Sequence, residues 1–212
     1  MSATNKWKIA IVEDNNDIRE TLRILINGAD GFLCTKVFVS AEEFIDSLTH
    51  LDADIILMDI NLPGKSGIEC IKEVKNKLPS TQFMMFTVYD DDEHIFNALA
   101  SGASGYILKH TSPAQIIEAL KELHNGGSPM SPDIARRVVT YFQRSKIAKD
   151  AALLTPREME ILTLLSQGLF YKEIAEKLSV AVDTIKKHLH HVYEKLHVQN
   201  RTEAINKIFH QP

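Results

Sequence analysis

Between Lys8 and Gly126 short apolar runs alternate with stretches whose apolar residues recur every three or four positions. The runs Ile9-Ala10-Ile11-Val12, Cys34-Thr35-Lys36-Val37-Phe38, Ile55-Ile56-Leu57-Met58, Phe83-Met84-Met85-Phe86 and Tyr106-Ile107-Leu108 read as strands. The third, unbroken and closed by Pro63-Gly64, reads as buried on both faces, as in a parallel sheet. Between the runs, Ile18, Leu22 and Leu25, or Phe44, Ile45 and Leu48, each mark one apolar helix face. Ser40 with Glu43, Ser66 with Glu69, and Ser112-Pro113 with Gln115 have the spacing of capping boxes. Five βα units in about 120 residues imply an α/β domain with a doubly wound parallel sheet over residues 7–126.

From Gly126 the pattern changes. Gly126-Gly127-Ser128-Pro129-Met130 is a break, and Ser131-Pro132 opens a helix through Ile134, Val138, Val139 and Phe142. Residues 145–152 read as a flexible joint, so 127–152 is a linker containing a helix. Thr155-Pro156-Arg157-Glu158 then starts a smaller all-α domain over 153–212. Its periodicity predicts four short helices, with Gly168 after the first and the third running from about Val182 to Leu196. A short helix, a tight turn and a second helix with basic residues on its open face is the helix-turn-helix pattern.

Charge sharpens this division. Residues 1–126 carry 11 Lys/Arg against 19 Asp/Glu, 127–152 five against two, and 153–212 eight against seven, within a net charge of −4. Only the rear module is suited to a polyanion. No apolar run approaches the ~18 residues of a membrane span, and Met1–Lys6 leads into a strand rather than a signal-peptide core, so the expectation is a cytoplasmic protein. Cys34 and Cys70 follow no metal or redox spacing and are expected as buried free thiols.

The candidate chemistry lies at the carboxyl ends of the strands, where open α/β sheets bind ligands. The first strand ends in Glu13-Asp14, the third in Asp59, the fourth in Thr87, and the fifth in Lys109. Singly, these are ordinary residues of turns and helix starts. Together they converge on one rim, where clustered carboxylates need a cation and hard oxygen ligands suit Mg²⁺. Glu13 and Asp14 would hold the metal, directly or through water, with the Asn61 backbone carbonyl. Asp59 is then a nucleophile toward phosphorus, with Lys109 and the metal stabilising charge and Thr87 donating to a phosphoryl oxygen.

With these strand ends, residues 7–126 resemble a two-component receiver domain, and the chain as a whole resembles response regulators of the NarL/FixJ family. The resemblance implies a flavodoxin-like fold and a phosphoryl group passed to Asp59 from a phosphohistidine on a sensor histidine kinase. Thr87 and Tyr106 correspond to the family's coupled switch residues, Tyr106 swinging inward on phosphorylation, and Lys109 to its phosphate-contacting lysine. Leu154-Thr155-Pro156-Arg157-Glu158, Lys172-Glu173-Ile174-Ala175 and Thr184-Ile185-Lys186-Lys187-His188 resemble a LuxR-type DNA-binding domain. By that resemblance Lys186, Lys187 and His190 contact bases in double-stranded promoter DNA, and Thr184 and Lys172 lie near phosphates. The expected protein is a phosphorylation-controlled transcription regulator, a homodimer when phosphorylated, with no enzymatic turnover beyond its own phosphoryl group.

The chain departs from the pattern in places. His110 follows Lys109, with the proline delayed to Pro113; Phe170-Tyr171 precedes the scaffold helix; Ala181 stands where Ser or Thr usually caps the recognition helix. Loss of a cap costs about 1 kcal/mol, and Asp183 is the candidate to replace it or to complement the helix dipole. The run Asp90-Asp91-Asp92-Glu93 reads first as an acidic helix start. Two other functions stay open: a phosphohydrolase working through an aspartyl phosphate, against which stands Asn61 in place of a second Asp, and a constitutive DNA-binding protein with an idle receiver.

Overall fold

The computed structural model describes residues 6–209, with the backbone alone for 144–149. Met1–Asn5, part of the lead-in expected before the first strand, lie outside the described residues. The chain divides into two compact units between Val139 and Thr140.

In the first unit β1 (Trp7–Val12), β2 (Phe32–Phe38), β3 (Ile55–Met58), β4 (Gln82–Thr87) and β5 (Gly105–Leu108) form one parallel sheet in the order β2-β1-β3-β4-β5. Several strands outrun their apolar runs because flanking residues still find ladder partners, Trp7 opposite Phe32 and Gln82 opposite Ile55. The helices are α1 (Asn16–Gly28), α2 (Ala41–Asp46), α3 (Gly67–Val74), α4 (Asp92–Ala100) and α5 (Pro113–His124); Leu48–His50 is a 3₁₀ turn. Alternate strand residues face opposite layers. Ala10, Val12, Ile56, Met58, Phe83 and Met85 pack with residues of α2, α3 and α4, whereas Ile9, Ile11, Ile55, Leu57, Met84 and Phe86 pack with those of α1 and α5. The chain doubles back between β1 and β3, which puts the ends of these neighbouring strands at the switch point of the sheet.

The expected caps differ in detail. Ser66 and Glu69 form a full capping box on α3. Ser40 caps α2 through the Glu43 N–H, but the Glu43 carboxylate takes the N–H of Val39 instead. Asp91 accepts the His94 N–H, so the acidic run is the start of α4. Both cysteines are free; Cys70 is buried but Cys34 only half-buried. Burial pushes their thiols up to about 12 and about 11, away from thiolate chemistry.

Beyond Gly126, where the sequence reading ends the front domain, the packed body continues. Helix α6 spans Pro132–Ala152, its start held by the Ser131 hydroxyl, which accepts the Ile134 N–H. Ile134 is buried in the layer containing α4. Residues 145–152, read as a joint, have a helical backbone, as a stretch with Ala and Lys and without Gly or Pro favours.

The second unit contains α7 (Pro156–Ser166), α8 (Tyr171–Lys177), α9 (Val182–Leu196) and α10 (Arg201–Phe209). Thr155 and Glu158 close a capping box on α7, and Gly168, at φ +92°, follows its end. Ile161, Leu165, Ile174, Ile185, Leu189 and Val192 are in its core.

Candidate functional site: a strand-end carboxylate pocket and a basic helix face

The register of the sheet builds the pocket. Val12 pairs with Met58, so the next residues, Glu13 and Asp59, leave adjacent strands side by side. Thr87 pairs with Leu108, which brings Lys109 in from β5. The Lys109 Nζ donates to Asp59 Oδ2 at 2.8 Å and to Glu13 Oε1 at 3.0 Å, and Asp59 Oδ1 accepts the Ile60 N–H at 2.7 Å. Glu13, Asp59 and Thr87 are buried; Asp14 is exposed. Burial, with the Asp59 carboxylate beside it, lifts Glu13 above the usual range against the pull of Lys109. Burial would lower Lys109, but its hydrogen bonds to Asp59 and Glu13 outweigh it and hold the ammonium above its ordinary value.

Two buried atoms here lack a hydrogen-bond partner among the described residues. The Thr87 Oγ1 has none, and Glu13 Oε2, although 2.7 Å from the Lys109 ammonium, is too poorly aligned to accept from it. Such groups cost roughly 1–3 kcal/mol each if nothing meets them. Carboxylate oxygens of Glu13, Asp14 and Asp59 lie within 4.8 Å of one another, a donor set fitting a hard divalent cation. Asn61, two residues beyond Asp59, is exposed.

Two residues that the sequence reading passed over shape this pocket. The Arg19 guanidinium turns back from α1 to donate to the carbonyls of Glu13 at 2.7 Å and Asp14 at 3.1 Å, fixing the loop that carries both acids. Gly67 abuts the other wall: a Cβ there would stand 1.9 Å from the Asp59 carbonyl oxygen. Only the Ser-Gly start of α3 hinted at it.

Tyr106 is fully buried, and its hydroxyl donates to the Tyr89 carbonyl at 2.9 Å. The inward position expected at the end of its swing is the one this structure has. Burial pushes its phenol well above the usual range.

On α9, Ile185, Leu189, Val192 and Leu196 are buried while Lys186, Lys187 and His190 are exposed and Thr184 is half-buried; Lys172 is exposed on α8. Ala181 provides no side-chain cap. Asp183 makes no side-chain cap but stands in the first turn of α9, where an acid complements the helix dipole; it also holds the Lys186 ammonium at 3.0 Å, and His190 lies 3.4 Å from Glu194. Lys187 and Lys172 make no ion pair among the described residues. Behind this face the buried Glu158 bonds the Lys195 ammonium at 2.6 Å, tying the start of α7 to the end of α9. Burial would raise Glu158, but Lys195 and the Thr155 donors outweigh it and hold the carboxyl below its usual range.

Comparison with known proteins finds a family match in each unit. Residues 9–121 match the response regulator receiver domain, and 152–208 match the luxR family of bacterial regulatory proteins. The chain is 35% identical to the transcriptional regulatory protein LnrK of Bacillus subtilis, over 93% of this chain and 94% of that protein. It is 31% identical to the nitrate/nitrite response regulator protein NarL of Escherichia coli, over 96% and 95%. The RcsB response regulator of Salmonella typhimurium superimposes with a TM-score of 0.61 at 26% identity, covering 95% of this chain and 97% of that one. The chain belongs to the two-component response regulators that join a receiver domain to a luxR-type helix-turn-helix domain.

Proposed function

We propose that Asp59 is the phosphoacceptor of this regulator and that its phosphorylation governs DNA binding through α9. The observation that carries the reading is the convergence of Asp59, Glu13, Lys109 and the unpartnered Thr87 hydroxyl from four strand ends. An Asp59 oxygen attacks phosphorus, the phosphorus–nitrogen bond of a sensor kinase's phosphohistidine breaks, and the imidazole leaves. Lys109 moves its bond from Asp59 to the incoming phosphoryl oxygens, and Thr87 donates the hydrogen bond it has to spare. Mg²⁺, bound by Glu13, Asp14, Asp59 and the Asn61 carbonyl, would neutralise charge on the transferring group. Arg19 and Gly67 hold the carboxylates in place.

The modification adds about −1.5 to −2 charges at Asp59. Swinging a population from 1:99 to 99:1 takes about 5.5 kcal/mol of preference, within reach of charge-assisted bonds from Lys109 and Thr87. The phosphorylated chain then dimerises, and two copies of α9 enter successive major grooves of a promoter. Lys186, Lys187 and His190 face the bases, with Thr184 and Lys172 at phosphates. In support, RcsB, a relative by fold and at 25% identity, has been solved bound to a promoter in the presence of a phosphomimetic. The matched families are those of regulators rather than enzymes. No described helix is long and apolar enough to cross a membrane, in keeping with a protein that meets DNA in the cytoplasm.

The test is the intact mass of the full-length protein after incubation with acetyl phosphate and Mg²⁺. Wild type gains one phosphoryl group and Asp59→Asn none; equal labelling of both moves the acceptor elsewhere.

A further inference from the structure

The free edge of β5 is covered by this chain itself. The Tyr106 N–H donates to the Pro129 carbonyl at 2.9 Å, and Tyr106 pairs with Met130 in a parallel bridge, so the segment after α5 adds itself to the sheet as a strand would. Ser128 Oγ bonds the Ser104 carbonyl at 2.6 Å. Gly105 allows the approach: a Cβ there would stand 3.0 Å from the Pro129 ring. The following turns of α6 continue the attachment. Ile134, 2% exposed, joins the apolar cluster that contains Tyr106 and Ile95, and Arg137 pairs with Asp92 at the start of α4 at 3.0 Å.

The same residues touch the candidate switch from the other side. The Tyr106 hydroxyl is bonded to the carbonyl of Tyr89, two residues beyond Thr87. Tyr89 stacks on His94 with ring centroids 4.2 Å apart, and His94 is held by Asp91, next to Asp92. Tyr106 therefore bonds the β4–α4 loop with its side chain and the post-α5 segment with its backbone.

We propose that the β5 edge and the start of α4 form a docking site whose occupant is this chain's own segment 128–138, and that docking and the inward position of Tyr106 favour each other. The inference rests on the phosphoacceptor reading. If a phosphoryl group at Asp59 draws in Thr87 and favours inward Tyr106, it tightens the docked segment; reciprocally, a chain whose segment is loosened binds a phosphoryl mimic more weakly, by the same factor. The segment that leads to the second unit thereby becomes a reporter of the pocket.

The experiment is hydrogen exchange of the full-length protein with and without beryllofluoride and Mg²⁺, with a titration of the mimic. Arg137→Ala removes an exposed contact and leaves the core intact; Ile134→Asp removes the buried one. In wild type the mimic is expected to slow exchange at 130–138. Both variants should exchange faster there and bind the mimic more weakly, by about fivefold or more for Ile134→Asp. Slowed exchange around Asp59 and Thr87 with no change at 130–138, or equal mimic affinity in all three proteins, overturns the coupling alone. No change around Asp59 in wild type overturns the acceptor reading and the coupling with it.

Discussion

The pocket of the first unit and the open face of α9 both gather charge, by opposite means. At the pocket, Glu13, Asp59 and Lys109 come from residues as much as 96 positions apart, brought together by sheet register; the two carboxylates are buried and the ammonium half-buried. On α9, Lys186 and His190 pair with Asp183 and Glu194 of their own helix, and all four are largely exposed. Buried charges are expensive to disturb and suit a site where one atom must react; exposed pairs are worth little and exchange readily for a polyanion. On the proposed function the two regions divide the labour of the protein in that way.

The contrast breaks first at Lys109. Lys109→Met leaves two buried carboxylates facing each other, and denaturant unfolding should register a loss of about 3–5 kcal/mol, partly recovered by Mg²⁺. A loss no larger than that of a surface ion pair would put the pocket in the same class as α9. On the exposed side, Lys187→Ala should leave folding unchanged and weaken DNA by about 1–3 kcal/mol if it reads a base; if it meets only a phosphate, the loss is uniform across sequences and the salt slope falls by about one. Competition binding at two salt concentrations separates these.

Glu158 is the exception that sharpens the comparison, a buried acid in the rear unit. Its folded pKa lies below the usual 4.5, so its contribution is present above that value and is lost as pH falls through the folded pKa. Glu158→Gln should cost about 1 kcal/mol at neutral pH, and the difference from wild type should shrink in melts below pH 4.5. A difference independent of pH would mean that the carboxylate charge contributes nothing.

How much could be read from the chain follows from the same contrast. The strand ends were legible because an apolar run that stops in a charged residue marks both the strand and its rim, as at Met58-Asp59 and Val12-Glu13. The α9 face was legible from helical spacing. What escaped depends on contacts across the fold that no local pattern encodes. Arg19 looks like one more cation on α1, yet its guanidinium folds back onto the Glu13 carbonyl. Gly67 is a helix start until Asp59 is packed on it. The spacing of Ile134 and Val138 predicted an apolar face but not the layer of β5 and α4 that covers it. The inward Tyr106 is likewise fixed by Tyr89, seventeen residues away.

The central claim, that Asp59 controls the α9 face, is tested most directly by DNA affinity. A duplex selected from a random pool by wild type with beryllofluoride and Mg²⁺ would be titrated with wild type and with Asp59→Asn, each with and without the mimic. The account predicts that the mimic tightens wild-type binding by roughly tenfold or more and leaves Asp59→Asn unchanged. Equal affinity in all four titrations would contradict it and leave a constitutive DNA-binding protein.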